Sequence, residues 1–204
     1  FRGLTQFGLG AGGQLLLFVF LNTLAASTSL IQARRNGVVR RTVAAPVTTT
    51  QTVLGLALGR LAIALFQGVY IMAASSLIFG VRWGNLAVMG LILLVFGLIA
   101  SGLAMLIGVV LDGEGAASGI SVGGGLILAA LGGSMMPLEI FPDSLRSIAH
   151  LTPHAWAYEA IAEVQRRGGG VLDILPELGV LSAMAAVVLL LGAFFLRRSL
   201  ERAM

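Results

Sequence analysis

Five long apolar segments, separated by polar stretches, run through this chain of 204 residues. By hydropathy they cover about residues 9–31, 53–80, 86–111, 116–136 and 174–196. Each is long enough to cross about 30 Å of hydrocarbon at about 1.5 Å per helical residue. Because backbone polar groups in lipid must be bonded within the protein, such segments form helices. The pattern predicts an all-α, polytopic membrane helix bundle with five spans and one transmembrane domain over residues 1–204.

The first long polar interruption, residues 32–50, is called here the arginine loop. It has no acidic residue and four arginines, Arg34, Arg35, Arg40 and Arg41. Short loops rich in arginine stay in the cytoplasm, because moving guanidinium groups across the membrane during insertion is unfavourable. With five spans, the basic stretch at 197–204 lies on the same side as this loop. We therefore expect residues 137–170 outside the cell.

Uncharged polar side chains lie within the apolar segments and fit either of two roles, helix packing or the lining of a translocation path. The candidates for such a path are Gln14, Asn22, Gln67 and Ser101. Arg60, about two turns inside the second segment, is expected to reach back to the cytoplasmic headgroups. The fourth segment contains six glycines and little side-chain bulk, which favours a position inside the bundle.

Residues 137–170, called here the proline-rich segment, are not predicted to form another span. Pro137, Pro142 and Pro153 interrupt the segment, and each proline limits helix continuation. Apolar spacings of three and four predict a short amphipathic helix with one face formed by Leu138, Phe141, Leu145, Ile148 and Thr152. A second short helix is expected over about 154–167, ended by three glycines. The segment suits either an outer gate or an interfacial anchor.

Composition narrows the class of protein further. Hydrophobic residues make up 57% of the chain and charged residues 11%, whereas soluble domains carry roughly 25% charged residues. The chain has no cysteine and no lysine, so it lacks thiolate metal ligands and the lysine of a phosphate-binding loop. The net charge of +4 comes from arginines at segment ends, which does not favour a nucleic-acid partner. We therefore expect no ATPase site and no cofactor in this chain itself.

No pattern indicates a catalytic residue or a metal site. His150 and His154 are four residues apart, but Pro153 disfavours a shared helical face. No carboxylate lies in the middle of a span, where ion-driven carriers commonly need one. The expected ion pairs at helical spacing join Glu159 and Glu163 to Arg166 and Arg167.

Two stretches resemble the ABC-2 type permease family, the membrane subunits of ATP-driven exporters, in its drug- and antibiotic-efflux branch. The loop ARRNGVVRRTVAAPVT is similar to the family pattern E-R-E-x-G-T-L-x-x-L-L-x-x-P-V-S. Its matching positions are Arg34, Gly37, Pro46 and Val47, whereas Ala33 stands where an acid is usual. The proline-rich segment is similar to the pattern G-x-x-x-P-x-x-x-x-P-x-x-L-x-x-i-x-x-x-x-P. Its matching positions are Gly133, Pro137, Pro142, Leu145, Ile148 and Pro153.

The resemblance implies six spans, so that one further helix, with or without an external domain, precedes Phe1. It implies a homodimer or heterodimer of permease subunits in the bacterial plasma membrane, surrounded by lipid. Each subunit would rest on a separate nucleotide-binding subunit, which holds ATP and magnesium. The cargo would be a drug, a lipid or a lipid-linked substrate.

The resemblance also assigns roles to particular residues. The arginine loop would couple the membrane subunit to the ATPase through Arg34, Arg35, Gly37, Val38, Val39, Arg40, Arg41, Val43, Pro46 and Val47. The proline-rich segment would form short re-entrant helices that close the exit, an outer gate made of Gly133, Pro137, Phe141, Pro142, Leu145, Ile148 and Pro153. A fragment of an ion-coupled secondary transporter or channel, and a membrane-embedded enzyme, are the alternative functions.

Overall fold

The computed structural model describes residues 6–38, 41 and 46–201, and within these ranges the chain forms α-helices and no strand. The helices are α1 Gln6–Ala25, α2 Ser27–Arg35, α3 Thr49–Phe79, α4 Leu86–Val110, α5 Glu114–Leu131, α6 Asp143–Ala149, α7 Pro153–Arg167 and α8 Leu175–Glu201. Helix α5 includes a π-helical stretch, Ile120–Gly124, and a 3-10 turn, Leu138–Ile140, precedes α6. Five helical stretches are long and apolar enough to cross a membrane, with α1 and α2 together forming the first. The prediction of an all-α polytopic bundle is confirmed.

Local sequence signals fix the ends of the spans. Thr48 and Gln51 form a capping box at the start of α3, in which each side chain accepts a hydrogen bond from the other residue's backbone N–H. Gly80 ends the same helix with a φ of 65°, a left-handed conformation that glycine adopts without strain. The Asn85 side chain then accepts hydrogen bonds from the first backbone N–H groups of α4. The connection between these two spans is therefore short and closely defined.

The charge-free helix α4 lies at the centre of the bundle and packs against α1, α3 and α8. Its large side chains, including Met89, Ile92 and Phe96, are fully buried. At Gly102 the backbone of α4 closely approaches α8, because a Cβ built on Gly192 would lie 3.0 Å from the Gly102 carbonyl oxygen. Glycines at such a crossing let two helices pack backbone to backbone.

The two ends of the bundle carry different polar segments. At one end, the arginine loop meets the α4–α5 corner, and Leu196 near the end of α8 packs with Leu30 and Met105. At the other end, Gln165 of α7 donates a hydrogen bond to the Arg82 carbonyl in the α3–α4 connection. The arginine loop and the proline-rich segment therefore occupy opposite ends, as the order of spans predicts.

Helix α5 departs from its predicted position inside the bundle. A Cβ on Gly115, Gly119, Gly123 or Gly124 would have no neighbouring atom within 4 Å. Four of the 18 residues of this helix are buried, against 15 of the 25 residues of α4. The buried residues Ala117, Ser121, Gly125 and Ala129 recur every four positions and so lie along one side of the helix. The expectation of an interior helix is therefore wrong for this chain taken alone, because small side chains permit close packing without requiring it.

Candidate functional site

The described start of the arginine loop binds within its own chain. Arg34 lies at the end of α2, and its Nη1 donates to the carbonyl oxygens of Gly108, Val109 and Leu111 at 3.3, 3.1 and 3.4 Å. Its Nη2 donates to the carboxylate of Asp112 at 3.0 Å. The last carbonyl groups of a helix lack intrahelical donors, and a cation there also meets the negative end of the helix dipole. Arg34 therefore caps the C-terminus of α4.

Two further contacts hold α2 to the start of α5. The guanidinium of Arg35 lies 3.6 Å from the Glu114 carboxylate, and the Gln32 amide donates to the same carboxylate at 2.8 Å. The two contacts and the Arg34 cap together form the arginine clip, which consists of Gln32, Arg34, Arg35, Asp112 and Glu114. The clip neutralises two of the loop arginines and fixes the end of α2 to the α4–α5 corner.

The rest of the loop turns away from the clip as far as the structure describes it. Gly37 follows with a φ of 68°, a backbone conformation that favours glycine. Val38 and Val47 are 42% and 43% exposed, and Pro46 and Arg41 are also exposed. Three residues assigned to coupling, Val39, Arg40 and Val43, lie outside the described residues.

Arg60 does not reach the end of the bundle, as the sequence suggested it would. Its side chain is buried, 5% exposed, and donates to the Leu56 carbonyl at 3.2 Å and to the Ala26 carbonyl at 3.4 Å. Ala26 lies between α1 and α2, where the helical path is interrupted. As the N-cap of α2, Ala26 already accepts the first hydrogen bond of that helix at its carbonyl, and Arg60 adds a second donor from α3. The expectation of an arginine reaching the headgroups is therefore wrong.

The interruption at Ala26 is also joined to the π-helical stretch of α5. The Ser121 hydroxyl donates to the Leu24 carbonyl at 3.1 Å and lies 3.1 Å from the Ser27 hydroxyl. Because Ser121 has a single hydroxyl proton, Ser27 is the donor between the two serines. Two irregular stretches of backbone thus meet at one buried level, the arrangement expected of a hinge between spans.

At the other end of the bundle, α7 inserts a histidine into the core. Thr152 caps α7 and accepts a hydrogen bond from the Ala155 N–H, and the next helical turn carries His154, which is 0% exposed. The imidazole contacts Phe20 of α1 and Phe96 of α4 edge-on, with ring centroids 4.5 and 5.1 Å apart. Among the described residues neither ring nitrogen has a hydrogen-bond partner. A charged ring there would be desolvated, so His154 acts as a neutral aromatic wedge.

The residues assigned to the outer gate are divided between buried and exposed positions. Gly133 and Pro153 are buried, Phe141 and Leu145 are half-buried, and the others are exposed, namely Pro137, Pro142 and Ile148. The single amphipathic helix expected over Leu138–Thr152 is wrong. A 3-10 turn and a seven-residue helix replace it, since α6 begins directly after Pro142. The buried face of α6 consequently includes Ala149 and leaves Ile148 outside it.

Ion pairs tie the proline-rich segment together. Glu163 pairs with Arg167 at 2.8 Å, as helical spacing predicts. Glu159 instead pairs with Arg146 at 3.1 Å, and Arg166 with Glu139 of the 3-10 turn. The predicted pairing of Glu159 along its own helix is therefore wrong, because α6 folds back and brings a competing cation to it.

His150 also binds Glu159, with its Nε2 3.0 Å from the carboxylate and its Nδ1 2.7 Å from the Arg146 carbonyl. Burial alone would lower the pKa of His150, but the bonds to Arg146 and Glu159 outweigh it and raise the pKa above its ordinary value. The Trp156 indole N–H donates to the His150 carbonyl, and the two rings meet edge-on at 4.9 Å. His150 and His154 thus bind different partners rather than a common ion.

The residues proposed to line a translocation path lie on one surface, with one exception. Gln14 and Asn22 are exposed on α1, four residues to either side of exposed Phe18. Gln67 of α3 donates to the Phe18 carbonyl at 3.1 Å and so joins the same surface. Ser101 is fully buried and donates to the Gly97 carbonyl of its own helix. Ser101 therefore lies apart from this polar surface.

Comparison with known proteins identifies the family to which the chain belongs. The model of a family described as ABC-2 family transporter protein matches residues 3–194. The chain belongs to the ABC-2 transporter family. It is also 29% identical over 189 residues to the linearmycin resistance permease protein LnrN of Bacillus subtilis (strain 168), a match that covers 92% of this chain. The alignment takes in 49% of LnrN, so the chain spans about half the length of this curated relative.

The structure of this ABC-2 chain adds residues that sequence reasoning missed. The acidic corner with Asp112 and Glu114 was visible as a short charged loop, and its opposite charge to the arginine loop was the available signal. His154 gave no comparable signal, because its environment depends on α1 and α4, far away in sequence. Arg60 was recognised, but its acceptor at Ala26 depends on how α3 packs against the junction of α1 and α2.

The arginine clip predicts that its two arginines contribute unequally to stability. Arg34→Ala removes donors from three backbone carbonyls and should lower the free energy of unfolding by about 1–3 kcal/mol. Arg35→Ala breaks one exposed ion pair and should cost less than about 1 kcal/mol. Unfolding of the purified protein in detergent measures both, with exposed Arg198→Ala as the control. Equal losses for Arg34 and Arg35 would argue against the capping role.

The His154 wedge predicts a steric effect at Gly132. A Cβ on Gly132 would lie 2.3 Å from the His154 Cβ and 2.9 Å from the Ala155 nitrogen. Gly132→Ala should therefore destabilise the protein by about 1–3 kcal/mol through overpacking. Gly119→Ala is the matched control, since its Cβ meets open space, and should be neutral or stabilising. Thermal unfolding that ranks the two variants in the opposite order would contradict this packing.

The contact between His150 and Glu159 predicts a pH-dependent signal. The pKa is raised in the folded protein, so this contact stabilises it below about pH 6.5 and the effect is lost as pH rises through the folded pKa. In a Trp83→Phe background Trp156 is the remaining tryptophan, and its fluorescence should titrate with a midpoint above 6.5. Glu159→Gln should lower that midpoint. A midpoint that does not move in this variant would rule out the assigned partner.

Proposed function

We propose that this chain is the transmembrane part of an ATP-driven exporter that moves a drug, lipid or lipid-linked substrate out of the bacterial cytoplasm. Membership of the ABC-2 transporter family carries the proposal. The similarity to a permease named for linearmycin resistance favours a drug-like or antibiotic cargo. Family membership also disfavours the alternative of an ion-coupled secondary transporter. The working unit would be a homodimer or heterodimer of permease subunits in the plasma membrane.

In this proposal the energy comes from a nucleotide-binding subunit that holds ATP and magnesium outside this chain. The arginine loop lies in the cytoplasm and binds that subunit. Because the clip engages Arg34 and Arg35, the exposed apolar residues Val38, Pro46 and Val47 supply the described part of the docking surface. The arginines of the clip then transmit movement rather than make the contact.

A route for that movement runs along α2. Displacement of the loop would pull on the clip and hence on the α4–α5 corner. At its other end α2 meets the interruption at Ala26, where Arg60 and the serine pair hold the backbone without a continuous helix. A short helix fixed at one end and hinged at the other can bias two arrangements of the bundle, which is what coupling requires.

The cargo would move along the polar surface of α1 and α3 that carries Gln14, Asn22 and Gln67. At the far end the proline-rich segment closes the exit. There the His154 ring packs α7 against α1 and α4. Opening would require the neutral ring to leave its contacts with Phe20 and Phe96. Neutral polar side chains along the route are compatible with uncharged or lipid-like cargo.

Docking is tested by changing the apolar loop residues while every arginine remains. The double variant Val38→Asp, Val47→Asp should insert normally but bind the ATPase at least about tenfold more weakly, because a groove that accepts valine does not accept a carboxylate. Val171→Asp is the matched control, since Val171 is 42% exposed at the opposite end of the bundle. Co-purification of the ATPase and export of the cargo are measured together.

Three outcomes separate the parts of this proposal. Loss of both ATPase binding and export in the double variant supports docking through the loop. Normal ATPase binding would overturn the docking surface while leaving the family assignment intact. ATP hydrolysis by the purified chain alone would overturn the assignment of energy supply to another subunit.

A further inference from the structure

A pocket of about 270 Å³ opens at the end of the bundle that carries the proline-rich segment. Its walls come from the 3-10 turn, α6, α7 and the first turn of α8. These elements bring charged side chains from four separate parts of the chain to one small space. None of the residues assigned to coupling or to the outer gate lines this polar pocket.

The charges in the pocket do not balance. Four carboxylates and three guanidinium groups line it. Each guanidinium has a carboxylate partner, in the pairs Arg146 with Glu159, Arg166 with Glu139, and Arg167 with Glu163. Among the described residues that line the pocket, Glu177 is the carboxylate left without a cation.

The carboxylate of Glu177 is also incompletely hydrogen-bonded. Its Oε2 atom is shielded from solvent and has no hydrogen-bond partner in the part of the chain that the structure describes. Glu177 lies in the first turn of α8, so its carboxylate is held at a fixed place in the pocket wall. A cation in the pocket would supply the hydrogen-bond partner that this oxygen lacks. Rotation about the terminal torsion of a glutamate is soft, so either oxygen can turn toward a ligand.

The surroundings select the kind of cation. The described residues contain no group of three metal-ligating side chains, so a divalent ion is disfavoured. A ligand that carries only negative charge is disfavoured because the pocket already holds one more carboxylate than guanidinium groups. A primary ammonium is a compact charge with three N–H donors, which suits a single carboxylate in a small polar pocket.

The position of Glu177 indicates the source of the ammonium group. Three exposed apolar residues, Val171, Leu172 and Leu175, come just before it in the chain, and Leu172 is 82% exposed. Apolar side chains so exposed at the end of a membrane span are suited to contact with lipid. The Arg167 side chain, 78% exposed, stands at the same pocket and has further N–H groups for a phosphate. We propose that the polar pocket binds the primary ammonium headgroup of an aminophospholipid, with Glu177 as its counter-ion.

The test uses the full-length protein in detergent and short-chain lipids as probes. Dihexanoyl-phosphatidylethanolamine should bind saturably, whereas dihexanoyl-phosphatidylcholine should bind at least about tenfold more weakly. A trimethylated ammonium has no N–H to donate, and one charge-assisted hydrogen bond is worth roughly tenfold or more in affinity. Glu177→Gln should weaken binding of the ethanolamine lipid by a similar factor. Native mass spectrometry or thermophoresis gives the affinities.

Asp143→Asn is the matched control, because Asp143 is an exposed carboxylate of the proline-rich segment that does not line the pocket. It should leave binding unchanged. Competition by free ethanolamine at concentrations similar to the lipid would support the ammonium site but assign it to soluble amines. Equal affinity for the two lipids would overturn the proposal without need of any variant. Undiminished binding of the ethanolamine lipid by folded Glu177→Gln would overturn it as well.

Discussion

The interruption of the first span between α1 and α2 imposes a constraint on which much of this structure depends. Hydrocarbon offers no hydrogen-bond donor, so a helix can be interrupted within a span only where protein groups satisfy the freed backbone. Ser121 donates to the Leu24 carbonyl and Thr28 to that of Ala25, while Arg60 and Ser29 add donors at the Ala26 carbonyl. These bonds hold α2 in place at the end of α1, and Arg34 near the end of α2 reaches the end of α4. The clip at the loop therefore depends on a buried guanidinium on another helix.

The features that could be predicted from the sequence are those that local chemistry decides. Five spans follow from apolar runs and the need to satisfy backbone groups in lipid. The end of α7 follows from the three glycines after Arg167, and the ion pair of Glu163 with Arg167 follows from helical spacing. In each case the determining residues lie within a few positions of one another.

The features that could not be predicted depend on which helices become neighbours. Glu159 has Arg166 two turns away on its own helix, yet it binds Arg146 because α6 folds back across α7. The Arg60 side chain is long enough to reach either the membrane headgroups or a buried carbonyl. It binds the Ala26 carbonyl because a neighbouring helix brings that oxygen within 3.4 Å. The glycines of α5 permit burial, but the arrangement of the other helices leaves most of them uncovered.

The order of synthesis gives the arginine clip a consequence in time. Arg34 and Arg35 leave the ribosome long before Asp112 and Glu114, so they are uncompensated positive charges while the first hairpin of spans enters the membrane. Positive charges of this kind oppose translocation, so we expect the pair to orient the nascent chain in that interval. Once the α4–α5 corner is made, the same side chains lose their freedom and become structural. On this expectation, the pair that sets the orientation of the spans during insertion later holds the α4–α5 corner in a fixed contact.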